Sequence, residues 1–149
     1  MNTNTNLDLT AFRARRAGRF SLSTPVRYGD LDPNGHVNHM RYLAYLEECR
    51  LAHRRALDSH LDLPAQLGWP VGGLTIRYLT SLQYPATATV ELAPVRIGRT
   101  SFTLGYGIFD GEHCVALAHS QTVCIDLDAG GSAPLPENVA MYLEAQMNA

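Results

Sequence analysis

The sequence contains no lysine, few cysteines and no long apolar run, and each of these gaps narrows the possibilities. All twelve cationic residues of the 149-residue chain are arginines, and against fourteen acidic residues they leave a net charge of −2. A charge this small gives no field over the whole domain that would attract nucleic acid. No apolar stretch approaches the roughly 18 residues that a membrane helix needs, so we expect no membrane span.

The three cysteines, Cys49, Cys114 and Cys124, are odd in number and far apart. Because they form no C-x-x-C pair, they indicate neither a disulfide framework nor a metal site. We therefore expect buried, reduced thiols and no metal. We also expect no cofactor. Residues 1–25 also lack the apolar segment of a secretory signal, which predicts a cytoplasmic protein.

The first nineteen residues differ in composition from the rest of the chain. They are rich in Asn, Thr and Arg and show no sustained period. This predicts a flexible N-terminal arm over residues 1–19 and a single domain over residues 20–149. Four arginines cluster in the arm, but no aromatic residues interleave with them to stack bases, so we expect a solvated tail and no nucleic-acid partner.

Residue periodicity predicts one long helix between strands. Apolar residues at steps of three and four predict a helix over residues 38–58, with Asn38 as its N-cap. Alternation with period two, or apolar runs bounded by turns such as Asp110-Gly111, predicts the strands. Strands are expected at 21–28, 74–78, 90–92, 102–108 and 114–127, and a short helix at 136–147.

The order of these elements predicts an α+β domain in which a single sheet covers most of one helix. A lone sheet leaves edges and part of its outer face uncovered. We therefore expect at least a homodimer.

The segment at 26–42, VRYGDLDPNGHVNHMRY, together with the helix that follows it, resembles the signature of the 4-hydroxybenzoyl-CoA thioesterase-like hotdog proteins. The resemblance extends over nearly the whole chain after Phe20. It implies a hotdog fold, with one long central helix wrapped by a curved, mainly antiparallel five-stranded sheet. It also implies a thioesterase that hydrolyses an acyl-CoA to the free acid and CoA, and that assembles as a homodimer or homotetramer.

In that family the second Asp of the loop carries the chemistry, and the corresponding residue here is Asp32. A thioester carbonyl needs an activated oxygen nucleophile, and Asp32 could attack directly or deprotonate water. The first Asp, Asp30, is expected to hold the turn. Backbone amides at the helix start would polarise the carbonyl. The candidates for this role are Val37, Asn38, His39 and Met40.

The loop also resembles the D-x-N-x-H arrangement of plant acyl-carrier-protein thioesterases. That resemblance implies that Asn34 orients the attacking water and that His36 relays a proton. The alternative is that Asn34-Gly35 is only a turn and His36 a partly exposed residue at the helix entry.

Substrate binding is expected to involve Tyr42 and arginines that grip the CoA phosphates. Arg77, Arg96 and Arg99 are the candidates, although each could be an ordinary residue at a strand end. Tyr42, Tyr45, Trp69 and Leu74 could line an acyl pocket. Glu47 and Glu48 read as a solvated helix face, with Glu48 a second choice for the catalytic carboxylate.

Three other activities are compatible with such a fold. The substrate could be an acyl-carrier-protein thioester, the domain could bind acyl-CoA without cleaving it, or the enzyme could be a dehydratase. Only a thioesterase would release free CoA from an acyl-CoA.

Overall fold

The computed structural model describes residues 7–147. Its strands and helices follow in the order β1 (Phe20–Pro25), α1 (His39–His60), β2 (Leu67–Gly68), β3 (Val71–Tyr78), β4 (Thr87–Ile97), β5 (Ser101–Asp110), β6 (His113–Val123), β7 (Ile125–Asp126) and α2 (Glu137–Glu144). Single turns of 3-10 helix lie at Thr10–Arg13 and Tyr28–Asp30.

Five of the strands form one antiparallel sheet in the order β1-β4-β5-β6-β3, and β2 pairs with β7 in a small separate ribbon. This confirms the predicted α+β arrangement of one long helix with five antiparallel strands. Most observed elements differ from the predicted bounds by a few residues, and two strands are shorter than predicted. The first strand ends at Pro25, and the apolar run predicted at 114–127 is split, because its last residues pair with β2 instead of continuing β6.

The core lies between α1 and one face of the sheet. The apolar positions of α1 recur at helical spacing, so Tyr45, Leu46, Cys49 and Leu57 are all buried on one side of the helix. Alternate residues of the strands face them across the core, namely Val90, Leu92, Leu104, Tyr106, Ile108, Ala116 and Ala118. This packing fixes the start of α1 relative to the sheet. It therefore also fixes the loop before α1, which connects β1 to the helix.

Part of the N-terminal segment that we expected to be flexible is packed on the outer face of the sheet. Phe12 is only 5% exposed and contacts Ala93 and Leu117. Glycines on β5 leave room for it, because a Cβ at Gly105 would lie 2.8 Å from the Phe12 ring and one at Gly107 would lie 2.5 Å from its carbonyl oxygen. Residues 9–19 thus differ from the expected mobile tail, whereas residues 1–6 lie outside the described part.

A charged cluster holds this segment in place. Glu91 of β4 is buried and accepts hydrogen bonds from Arg15 Nε and the Arg16 backbone N–H, both at 3.0 Å. The guanidinium of Arg19 lies 3.7 Å from the same carboxylate and 4.2 Å above the Phe12 ring. Because a buried carboxylate is costly without partners, Arg15 and Arg19, which were predicted to lie in a solvated tail, instead neutralise Glu91.

Strand β3 is an edge of the sheet, and it is unusually open. Seven of its eight residues are exposed, including Val71, Leu74 and Tyr78, which are about two-fifths exposed. Apolar side chains on an open strand edge favour pairing with another chain. No helix within residues 7–147 has the length and apolar character required to cross a membrane.

Candidate active site

The loop between β1 and α1 is anchored by Asp30, whose carboxylate is buried. Its Oδ2 accepts hydrogen bonds from the Arg27 backbone N–H at 2.9 Å and the Tyr45 hydroxyl at 2.8 Å, and Arg41 lies 3.6 Å from Oδ1. Burial alone would raise the pKa of Asp30, yet these hydrogen bonds and the arginine charges bring it below its usual value. Asp30 is therefore occupied on both oxygens, as suits a residue that holds the turn.

Asp32 lies two residues further on, half-buried, and its two oxygens differ. Oδ1 accepts hydrogen bonds from the backbone N–H groups of Asn34 at 2.8 Å and His36 at 3.2 Å. The backbone closes the loop as well, since Asp32 N–H donates to the His36 carbonyl at 2.7 Å and Gly35 takes a left-handed φ of 78°. Oδ2 has no hydrogen-bond partner within residues 7–147. One oxygen is thus fixed by the loop and the other remains available.

Two of the four candidate amides at the helix start are already used by the fold. The Val37 N–H donates to the Leu82 carbonyl at 2.9 Å, and the Asn38 N–H donates to the Asp30 carbonyl at 2.8 Å. These bonds tie the helix entry to the segment after β3 and to the turn.

A third candidate amide is used by the helix cap. Asn38 is the N-cap of α1, as predicted, and its side-chain oxygen accepts the Met40 N–H at 2.9 Å. The N–H of His39, the first residue of the helix, has no acceptor among the described residues. Of the four candidates, His39 is therefore the one whose amide is free, and it lies at the positive end of a 22-residue helix.

Tyr42 does not take the substrate-binding position that the sequence predicts for it, and Tyr78 lies there instead. Tyr42, predicted to bind substrate, is 2% exposed, and its hydroxyl accepts the Leu82 N–H at 2.9 Å. Tyr78, at the end of the edge strand, packs against Tyr42 with ring centroids 5.0 Å apart and donates its hydroxyl to the His39 carbonyl at 2.8 Å. Tyr42 thus lies in the core and packs against Tyr78, whereas the exposed Tyr78 lies beside the helix start.

Sequence reasoning did not single out Tyr78 or Leu82. Tyr78 was predicted as one member of an alternating strand, and nothing in that pattern marks its hydroxyl. Leu82 acts through its backbone, which leaves no signal in the side chain.

The side chains of Asn34 and His36 are exposed, and neither has a hydrogen-bond partner among residues 7–147. Both residues touch Asp32 through their backbone amides. Within one protomer the loop is thus organised as a turn around Asp32, and a side-chain network of the plant type remains a prediction.

Of the three arginines expected at the CoA phosphates, Arg77 lies apart from Arg96 and Arg99. Arg77 alternates with Tyr78 on β3, so its side chain projects from the sheet face opposite α1. Arg96 and Arg99 lie near the β4–β5 turn, at the end of the sheet where Val71 pairs, whereas the helix start adjoins Tyr78. The length of β3 separates the two ends by roughly 23 Å. A single protomer does not bring them to Asp32.

An apolar groove of about 180 Å³ opens between α1 and the edge strand. Its lining residues are Leu46, Glu47, Arg50, Val71, Leu74 and Tyr106. Of the predicted acyl-pocket residues, Leu74 lies in this groove, Tyr45 is buried against Asp30, and Trp69 lies further along the helix. Glu47 pairs with Arg50 at 3.4 Å.

Glu48 is exposed on α1, with no hydrogen-bond or ion-pair partner within the described residues. Residues 7–147 contain no cluster of three or more side chains that could ligate a metal.

The chain matches known proteins over most of its length. The family model that matches it is that of the thioesterase-like superfamily, over residues 26–143. The chain is 25% identical over 131 residues to the 1,4-dihydroxy-2-naphthoyl-CoA hydrolase of Nostoc punctiforme, which covers 84% of this chain and 86% of the relative.

Two solved structures illustrate the likeness of fold. A candidate thioesterase from Pseudomonas aeruginosa is 32% identical, with a TM-score of 0.74 over 83% of this chain and 96% of its own. A 1,4-dihydroxy-2-naphthoyl-CoA thioesterase from Synechocystis is 23% identical, with a TM-score of 0.68 over 83% of this chain and 94% of its own.

These matches confirm the hotdog fold that the loop signature predicts. The family match includes the Asp32 loop, all of α1 and every strand after β1. The chain therefore belongs to the thioesterase-like superfamily and is a thioesterase.

Proposed function

We propose that the protein hydrolyses acyl-CoA thioesters at the junction of the loop and α1, with Asp32 as the catalytic carboxylate. The observation that carries this proposal is a pair of unused groups. Among the residues that the structure describes, Asp32 Oδ2 has no partner, although Oδ1 is fixed by two amides, and the His39 N–H has no acceptor, although its neighbours are bonded. A carboxylate oxygen and a free amide at a helix N-terminus are the two groups that thioester hydrolysis requires.

In the proposed reaction the His39 amide donates a hydrogen bond to the thioester carbonyl. The charge that develops on that oxygen is stabilised by the amide and by the positive end of α1. Asp32 then attacks the carbonyl carbon through Oδ2, or removes a proton from a water that attacks it. Both routes break the carbon–sulfur bond, consume one water and release the acid and the thiol. Asp30 serves as a positioning residue, because it holds the loop and the Asn38 amide.

The names of two relatives favour CoA over carrier-protein thioesters. The Nostoc and Synechocystis relatives are named for a CoA thioester with an aromatic acyl group. The groove along α1 is lined mainly by Leu46, Val71, Leu74 and Tyr106, which suits an apolar acyl group. A carrier-protein substrate is the alternative. A cytoplasmic location remains a prediction of the sequence.

We propose further that the active unit is a homodimer formed through β3. Antiparallel pairing of β3 with its copy would cover the exposed strand edge and bring the Tyr78 end of one strand to the Val71 end of the other. The helix start of one protomer would then face the groove of the second. The same pairing would bring the β4–β5 turn that carries Arg99 toward the active site of the other subunit, where it could contact CoA phosphates. A tetramer of such dimers is the other assembly expected.

The first experiment separates the roles of the two loop aspartates. Free CoA released from a panel of acyl-CoAs is measured with a thiol reagent for the wild type, Asp32→Asn and Asp30→Asn. Asp32→Asn should lower the single-turnover rate by roughly 10² to 10⁴, the loss expected for a positioned base. Asp30→Asn should keep most of the rate and lose stability. Equal single-turnover rates for wild type and Asp32→Asn, both folded and saturated, would contradict the assignment and direct attention to Glu48.

The second experiment tests the amide, which no ordinary side-chain change removes. Proline is tolerated at the first position of a helix, and the extended backbone of Asn38, with ψ of 134°, is compatible with a proline after it. His39→Pro should therefore keep α1 while it deletes the N–H, and it should lower kcat by about 10² to 10³. His39→Ala, which keeps the N–H, is the matched control. If the two variants have the same rate, the amide has no role.

Carrier-protein thioesters assayed beside the CoA panel decide between the two substrates. If the wild type binds acyl-CoA but neither it nor any variant releases CoA, the domain is a binding module instead. Asn34→Ala and His36→Ala should lower the rate only if their side chains form the plant-type network.

A further inference from the structure

A second cavity lies beyond the groove, under the segment that carries Trp69. It has a volume of about 20 Å³ and lies between the second half of α1 and the sheet. Its lining residues are Arg50, His53, Arg54, Leu57, Trp69, Phe102, Leu104 and Thr122. Arg50 lines the groove too, and Val71 of the groove pairs directly with Thr122 on the neighbouring strand. The cavity and the groove are therefore neighbours.

Among residues 7–147, two buried polar atoms of side chains that line this cavity have no hydrogen-bond partner. They are the indole nitrogen of Trp69 and the hydroxyl oxygen of Thr122, and the Thr122 residue is only 3% exposed. Native folds leave few such groups, because an unpaired buried donor or acceptor destabilises the folded state. Two such atoms on side chains that line one cavity are the reason to look for a polar occupant there.

The chemistry of the lining defines that occupant. The indole N–H only donates, so the occupant must present an acceptor, while a threonine hydroxyl can donate or accept. The charges nearby are already matched, since Arg54 bonds Asp58 at 2.7 Å and stacks 4.6 Å over the indole ring, and Arg50 pairs with Glu47. A neutral oxygen therefore fits better than an anion. A volume of about 20 Å³ exceeds the roughly 10–15 Å³ that one water needs, which is room for a single hydroxyl or keto oxygen.

We propose that this cavity is a specificity site for a hydroxyl or keto oxygen at the end of the acyl group remote from the thioester. The proposal rests on the proposed function, with the acyl group in the groove and its polar end passing Arg50 to reach Trp69 and Thr122. The oxygen accepts the indole N–H and exchanges a hydrogen bond with the Thr122 hydroxyl. Acyl groups that lack the oxygen leave both atoms unpaired.

The binding test does not depend on turnover. Trp69 is the only tryptophan of the chain, so its fluorescence reports directly on the cavity. Free carboxylic acids of equal length, with and without a hydroxyl or keto group at successive positions, are titrated into the protein. We expect at least one oxygenated acid to bind about tenfold or more tightly than its unsubstituted partner and to change the Trp69 emission.

Thr122→Val tests the second contact, because it keeps the shape of the side chain and removes its hydroxyl. This variant should reduce the preference to about twofold. Thr103→Val is the matched control, since Thr103 is buried on β5 but alternates with Phe102 and so faces the other side of the sheet. It should keep the full preference.

The hydrolysis of the corresponding CoA thioesters should show the same preference in kcat/KM. Equal binding of all acids to the wild type would overturn the proposal, and so would a preference that survives Thr122→Val. The same holds if Thr122→Val changes only the melting temperature, which would mean that the cavity holds an ordered water. Hydrolysis of unsubstituted acyl-CoA would still support the proposed function in each of these cases.

Discussion

Phe12 offers a decisive test of how the N-terminal segment contributes to the fold. It is 5% exposed, with its ring above Gly105 and beneath the guanidinium of Arg19. Truncation of a buried phenylalanine to alanine costs about 3–5 kcal/mol in protein cores. Because Phe12 lies under a short surface segment that can readjust, we take the lower end, about 3 kcal/mol. For a chain of this size each kcal/mol corresponds to about 2–4 °C, so Phe12→Ala should lower the melting temperature by about 6–12 °C.

The measurement is thermal unfolding of the wild type, Phe12→Ala and a control at an exposed apolar residue. Leu127→Ala is suitable, since Leu127 is 60% exposed and should change the melting temperature by no more than about 1–2 °C. Deletion of residues 1–18 should destabilise at least as much as Phe12→Ala, because it removes the aromatic ring and also Arg15, one partner of the buried Glu91. A flexible tail would predict no change in either variant.

A double-mutant cycle shows whether the ring occupies the space left by the glycine. A Cβ at Gly105 would lie 2.8 Å from the Phe12 ring and 2.9 Å from a methyl group of Val95. Gly105→Ala should therefore destabilise the wild type but cost much less in the Phe12→Ala background, where only the methyl contact remains. Additive effects of the two substitutions, or an unchanged melting temperature for Phe12→Ala, would refute the packing that we describe.

Three further predictions concern the rest of the molecule. Light scattering at micromolar concentration should give at least twice the mass of one 16.4 kDa chain. Leu74→Glu on β3 should shift the protein toward the monomer. A monomeric wild type would exclude the proposed dimer. Burial lowers the pKa of His53, and the hydrogen bond with the Gln146 side chain opposes this only in part, so the folded state binds a proton less readily than the unfolded chain. The contribution of His53 to folding stability should thus be fully present above about pH 6.5 and should fall as the pH drops below that value. His53→Gln should therefore reduce the difference in melting temperature between pH 7.5 and pH 5.5. An equal difference in both proteins would exclude His53 as the cause. Burial raises the pKa of Cys49 to about 12, and it also raises the pKa of Cys124. Because both thiols are fully buried, a thiol reagent at pH 8 should label only Cys114 before unfolding. Rapid labelling of more than one thiol per chain would contradict this.

The local elements could be predicted from the sequence because their signals involve residues close together in the chain. The helical spacing from Tyr42 onward predicts α1, and Asn38 caps it as expected. The alternation along β5 predicts a strand at Phe102 to Ile108. The turn formers around Asp32 predict an irregular loop, and the loop signature points to the family that the comparisons confirm. None of these inferences requires knowledge of what lies across the core.

Tertiary structure decided the rest, because it brings together residues that are far apart in sequence. The Phe12 ring meets Gly105 across 93 positions, and no local pattern distinguishes such a segment from a solvated tail. Likewise, the position of β3 beside α1 places the exposed Tyr78 at the helix start and leaves Tyr42 buried beneath it, and the sequence pattern shows neither.

The site follows the same division. The sequence offers Asp32 as the catalytic carboxylate. It also offers four amides that could polarise the thioester carbonyl, and it does not distinguish among these four. The Val37 and Asn38 amides are bonded to the carbonyls of Leu82 and Asp30, and among the residues that the structure describes none accepts the His39 amide. A backbone N–H is present at every residue except proline, so its availability depends on the acceptors that folding places around it.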